Sequence, residues 1–82
     1  MTNKAFNYII SRRIVFLRKK RGLTSEQLAY ASGISKGGLS EIERNIKEPK
    51  IHTILKLCVG LNITLKEFFA FEVIDSYMNS IS

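Results

Sequence analysis

The sequence contains one cysteine, one histidine, one proline and no tryptophan in 82 residues. A single Cys58 and a single His52 cannot form a disulfide framework or a Cys/His zinc site, so no metal is expected. No glycine-rich phosphate loop, clustered carboxylates or Cys–His pairing is evident, so the reading is not an enzyme and without cofactor. No apolar run approaches the ~18 residues of a membrane span, so no membrane partner is expected. The first residues lack the charged stretch, apolar stretch and cleavage site of a secretory leader, and a reduced, cytoplasmic location is expected.

Acid is also missing from the first quarter. Residues 1–22 carry seven basic side chains and no Asp or Glu, residues 23–50 carry four of each sign, and residues 51–82 sum to −1. The net charge of +6 therefore comes from the N-terminal block. It reads either as a face for a polyanion or as a solvated helix surface. Apolar residues at 45% and charged residues at 24% are globular proportions. The length allows one small domain over residues 1–82, with a core over about 6–70 and an apolar tail over about 71–82.

Apolar spacing is helical throughout, and no alternating run of strand length competes. Phe6, Ile10, Ile14, Leu17 and Arg21 form one stripe, which Gly22 ends as a left-handed cap. Thr24 with Gln27 is a capping box opening a second helix that holds Leu28, Ala29 and Ala31 and stops at Gly33. Ser35 caps a third helix with Leu39 and Ile42 inward. Glu48-Pro49 closes the next loop, because the residue before proline avoids helix. A fourth helix carries Ile51, Ile54, Leu57, Cys58 and Leu61, and Asn62 accepts its left-handed end. Thr64 with Glu67 opens a fifth, with Leu65, Phe68 and Phe69. The expectation is an all-α chain of five short helices, with a tail either helical or extended.

Leu28 to Ile42 is the informative stretch. Ala29 is small enough for two helices to cross closely, and Gly33 supplies the positive φ of a tight turn. Leu28, Ile34, Leu39 and Ile42 fill the wedge. This is a helix-turn-helix pattern, whose second helix enters the DNA major groove.

Residues 18–69, RKKRGLTSEQLAYASGISKGGLSEIERNIKEPKIHTILKLCVGLNITLKEFF, resemble the phage-repressor and Cro (XRE) type of helix-turn-helix domain. R-x-x-R-G-L-T-x-x-x-L-A, S-G-I-S, L-S-x-I-E-R-N, E-P-x-I-x-T-I-L-K-L and L-K-E-F-F carry the resemblance. It implies a five-helix, lambda-repressor-like DNA-binding domain, commonly a dimeric regulator. Restriction-modification controllers, small phage repressors and antitoxin-type repressors are similar in size. It also implies a structural ion pair between Arg18 and Glu43, and base-edge contacts from Lys36, Gly37, Ser40 and Glu41. Lys36 suits guanine O6/N7 and Glu41 suits cytosine N4, while Ser40 discriminates poorly.

Ser25 matches the family's backbone-phosphate position, and the free amides at the start of its helix favour an anion. Ser35 and Arg44 lie on the outward face of the third helix. Asn45, Lys47 and Lys50 follow it and suit the same strand, and in the first helix Arg12, Lys19 and Lys20 are the better phosphate candidates. Arg13 and Arg21 are read as stems shielding the apolar stripe. Cys58 is read as core packing and His52 as solvated. Gly37-Gly38 departs from the family, which carries larger side chains there. Three readings stand: close approach of the backbone to DNA, readout through DNA shape, or a first turn that orders on binding.

The tail residues Phe69, Phe71, Ile74, Tyr77 and Met78 form a candidate dimer interface, with folding back onto the same chain as the alternative. The favoured function is a homodimeric, sequence-specific regulator on a pseudo-palindromic duplex, with half-sites ~34 Å apart. The alternative is an antitoxin-type module that holds a partner protein through its aromatic tail. A toxin or a polymerase is the kind of protein partner considered.

Overall fold

The computed structural model describes residues 4–82. It holds six helices: α1 Lys4–Lys20, α2 Ser25–Ser32, α3 Lys36–Glu43, α4 Ile51–Leu61, α5 Leu65–Phe68 and α6 Glu72–Ile81. No strand occurs among the described residues. The expected five helices are present, and the tail adds the sixth.

Local chemistry sets the boundaries. α1 ends where Gly22 turns to φ +70°, with the amides of Gly22 and Leu23 donating back to Lys19 and Arg18 carbonyls at 2.9 and 3.0 Å. Arg18, Lys19 and Lys20 fill its last turn, where the free carbonyls favour positive charge. The capping boxes at Thr24 and Thr64 are both closed in each direction. At the second, the Glu67 carboxylate accepts from the Thr64 amide at 2.9 Å. That bond, with the Thr64 hydroxyl, holds Glu67 below the usual carboxylate range. Gly33 (φ 71°) and Asn62 (φ 57°) give the left-handed ends of α2 and α4.

The core gathers one face from each helix: Ile10, Ile14 and Leu17, then Leu28 and Ala29, Leu39 and Ile42, Ile54, Leu57, Cys58 and Leu61, Phe68, and Ile74. Fully burying one such Leu, Ile or Phe contributes roughly 1.5–3 kcal/mol, against the entropy of ordering the chain. Ile51 departs from the expected pattern. It opens α4 pointing outward at 59% exposure, because Ile54 and Leu57 already fill the inward positions. Burial of the Cys58 thiol raises its pKa.

α2 and α4 approach unusually closely, and Gly60 makes this possible. A Cβ at Gly60 would run into the Ser32 hydroxyl and lie 3.1 Å from both the Ser32 Cβ and its backbone nitrogen. The Ser32 hydroxyl is buried without a hydrogen-bond partner. Gly60→Ala is therefore expected to lower stability by about 1–2 kcal/mol, even though alanine is the better helix former. Urea unfolding measures this, and adding Ser32→Ala should recover part of the loss.

α6 folds back on α1. Ile74 is 6% exposed in the core, and the rings of Phe6 and Tyr77 meet at 5.6 Å. Ile74 therefore has little side-chain surface left for a second subunit, because most of it packs against its own chain.

Candidate nucleic-acid interface

The left-handed turn at Gly33 sends the chain sharply from α2 into α3. The Ile34 amide donates to the Ala29 carbonyl at 3.0 Å, which fixes the corner. Ser35 then caps α3, its hydroxyl accepting from the Gly38 amide at 2.9 Å. Leu39 and Ile42 anchor one side of α3 in the core, at 0% and 3% exposure. The opposite side carries Lys36, Gly37, Glu41 and Arg44, all exposed, with Ser40 half-buried beside them. The polar side of α3 thus faces solvent rather than the protein body.

Arg18 and Glu43 hold this helix in place. Arg18 Nε donates to Glu43 Oε2 at 2.8 Å, and its NH2 donates to Oε1 at 3.1 Å. The remaining NH1 donates to the Leu23 carbonyl at 3.0 Å. The pair is mostly shielded, with side chains 14% and 11% exposed. It joins the end of α1, the following turn and the end of α3.

The segment after α3 curls over its C-terminal end. Asn45 takes a left-handed φ of 60°, and the amides of Ile46 and Lys47 both donate to the Glu41 carbonyl, at 2.8 and 3.2 Å. This fixes the backbone beneath Asn45, Lys47 and Lys50, whose side chains are exposed. Ser25 opens α2, half-buried. Lys36 lies 3.7 Å from Glu26, both about 70% exposed at 69% and 73%. A pair so open to water contributes little, so Lys36 leaves it at small cost.

Two arginines make bonds within the fold that the sequence expectation does not include. Arg12, expected to meet phosphate, donates to the Glu43 carbonyl at 3.0 Å and lies over the Tyr8 ring at 5.9 Å. It serves the unpaired carbonyl end of α3, where a cation is favoured. Arg13, expected only to cover the apolar stripe, donates to the Phe68 and Glu67 carbonyls at 2.8 and 2.9 Å and stacks on Phe71 at 4.5 Å. Partial burial lowers its pKa. It clamps the α5–α6 junction onto α1, and the partners lie more than 50 residues along the chain, where no local spacing predicts them. Lys19 is exposed, and Lys20 sits over Phe16 at 6.0 Å.

Of the tail residues, Phe69, Phe71 and Tyr77 are half-buried, while Met78 is 58% and Ile81 66% exposed. A second apolar line went unnoticed in the sequence: Ile46, Ile51, Leu55 and Val59 are exposed at 41–75%. The i, i+4, i+8 spacing of Ile51, Leu55 and Val59 was the available signal.

A short helix set across its predecessor on a glycine turn, polar side outward, defines the helix-turn-helix class. The family described as Helix-turn-helix, HTH_3, matches residues 16–68, and the chain belongs to it. The chain is 41% identical over 54 residues to the HTH-type transcriptional regulator SutR of Escherichia coli K12, a match covering 66% of this chain and 30% of that protein. Among solved structures, an HTH_3 family transcriptional regulator from Vibrio cholerae superposes with a TM-score of 0.78 at 38% identity, covering 84% of this chain and 39% of that one. The restriction-modification controller protein C.AhdI from Aeromonas hydrophila gives a TM-score of 0.74 at 32% identity, covering 79% of this chain and 98% of that one. The chain thus spans about a third of the curated relative but nearly all of the controller protein.

Proposed function

We propose that the protein is a transcriptional regulator that binds double-stranded DNA sequence-specifically, as a homodimer on a pseudo-palindromic site. The observation that carries this is the orientation of α3. Its core side is locked by Leu39, Ile42 and the Arg18–Glu43 pair, and its outward side is open along its length. In this reading Lys36, Gly37, Ser40 and Glu41 meet base edges. Ser25, Ser35, Arg44, Asn45, Lys47 and Lys50 meet the phosphate backbone and set the register. Lys19 and Arg12 extend that contact, and Arg12 also fixes the end of α3 through the Glu43 carbonyl.

Two copies would present their α3 helices to successive major grooves, ~34 Å apart. The exposed apolar residues support association: Met78 and Ile81 on α6, and Ile51, Leu55 and Val59 on α4. Random-site selection with the purified chain tests the whole reading. A recovered palindrome with half-sites one turn apart supports it, and failure to enrich any sequence contradicts it.

A second reading keeps the fold and changes the partner. Phe6, Phe69, Ile74, Tyr77, Met78 and Ile81, with Asp75 beside them, line a largely apolar trough of about 380 Å³, which favours an antitoxin-type contact with another protein.

A further inference from the structure

Gly37 has no role in the fold that requires a glycine. The positive-φ glycines are Gly22 and Gly33, so Gly37 holds an ordinary helical backbone. A Cβ built on it meets nothing within 4 Å. Its neighbour differs: a Cβ on Gly38 would stand 2.8 Å from the Ser35 hydroxyl that caps α3. Within a helix glycine is the least favourable residue after proline. The free chain therefore carries an unfavourable residue at 37 without any internal compensation.

Its position on α3 is the second observation. At about 100° per residue, Gly37 lies roughly 170° around the helix from the mean direction of the buried Leu39 and Ile42. It sits on the outermost line of α3, with Glu41 and Arg44 within roughly 40° on either side. A group that passes between the Glu41 and Arg44 side chains along that line meets a bare Cα.

We propose that Gly37 is a specificity determinant: its missing side chain makes room for the 5-methyl group of a thymine in the major groove. This rests on the DNA-binding reading above. The thymine methyl is the apolar group that base edges present in that groove, and a bare Cα offers an apolar surface against it. A Cβ at 37 would occupy the methyl's space and lift Glu41 and Arg44 from the groove. Glycine at 37 thus selects sites by clearance, where its neighbours select by hydrogen bonding.

The test uses the full chain, Gly37→Ala and the duplex recovered by random-site selection. Gly37→Ala should raise the melting temperature of the free protein by up to about 4 °C, since alanine is the better helix former and fits without contact, and the first turn of α3 feels only part of the interior penalty of glycine. It should weaken binding to that duplex about tenfold or more. Replacing thymines by deoxyuridine, one at a time, should reveal one position per half-site where loss of the methyl weakens wild-type binding and restores Gly37→Ala binding. A more stable variant that binds as wild type does overturns the inference. So does weakened binding that deoxyuridine rescues nowhere. A selection that enriches no sequence at all removes the DNA reading itself, and the inference with it.

Discussion

Glu43→Ala is expected to destabilise the folded chain by about 3 kcal/mol, because removing one partner leaves the other charge shielded from water and unpaired. For a chain of this size the thermal midpoint should fall by about 12–24 °C. Arg18 would keep its bond to the Leu23 carbonyl and lose both bonds to carboxylate oxygens, at 2.8 and 3.1 Å. Glu41→Ala is the internal control. It removes a carboxylate two residues away that is exposed and forms no ion pair among the described residues. Its effect should stay within about 0.5 kcal/mol. Replacing the whole pair by Arg18→Met with Glu43→Leu should cost less than Glu43→Ala alone, since no orphan charge remains. Equal stability of Glu43→Ala and Glu41→Ala, measured by urea unfolding, would show that the pair does not hold α3.

The second large effect is on DNA binding. Lys19, Arg44, Lys47 and Lys50 of two subunits neutralise about eight phosphates in the proposed complex. The slope of log K against log salt should then be about −7, so affinity falls about 10⁴-fold between 50 and 200 mM salt. Lys47→Ala removes one phosphate contact per subunit and should reduce the slope to roughly −5.5 while weakening all sequences alike. Lys36→Ala should instead relax discrimination at one base position. Fluorescence anisotropy across a salt series separates the two, and identical behaviour of the variants would contradict their assigned roles.

Much of this architecture is legible in local chemistry. The T-x-x-Q and T-x-x-E boxes, the glycine turn at Gly33 and the left-handed Asn62 all act over four or five residues, so sequence spacing reveals them. The outward side of α3 follows from the same logic, once Leu39 and Ile42 are assigned inward. The Arg18–Glu43 pair spans 25 residues and came only from resemblance to a family. The Arg13 clamp on the Phe68 and Glu67 carbonyls leaves no trace in sequence, because any backbone carbonyl can accept such bonds. Gly60 was equally silent: the residue it accommodates, Ser32, lies on another helix. The tail shows a third kind of gap. An amphipathic α6 has the same pattern whether its apolar side meets α1 or a second subunit, and only the fold shows that Ile74 is taken.

The most direct test of how α3 is used is an amide chemical-shift titration of the isotopically labelled chain with the selected duplex. Shifts concentrated over residues 35–47 and at the start of α2, with α6 largely unmoved beyond dimer effects, are the predicted result. Shifts centred on α6 or the exposed α4 line, with the amides of Lys36 to Arg44 unchanged, would contradict it.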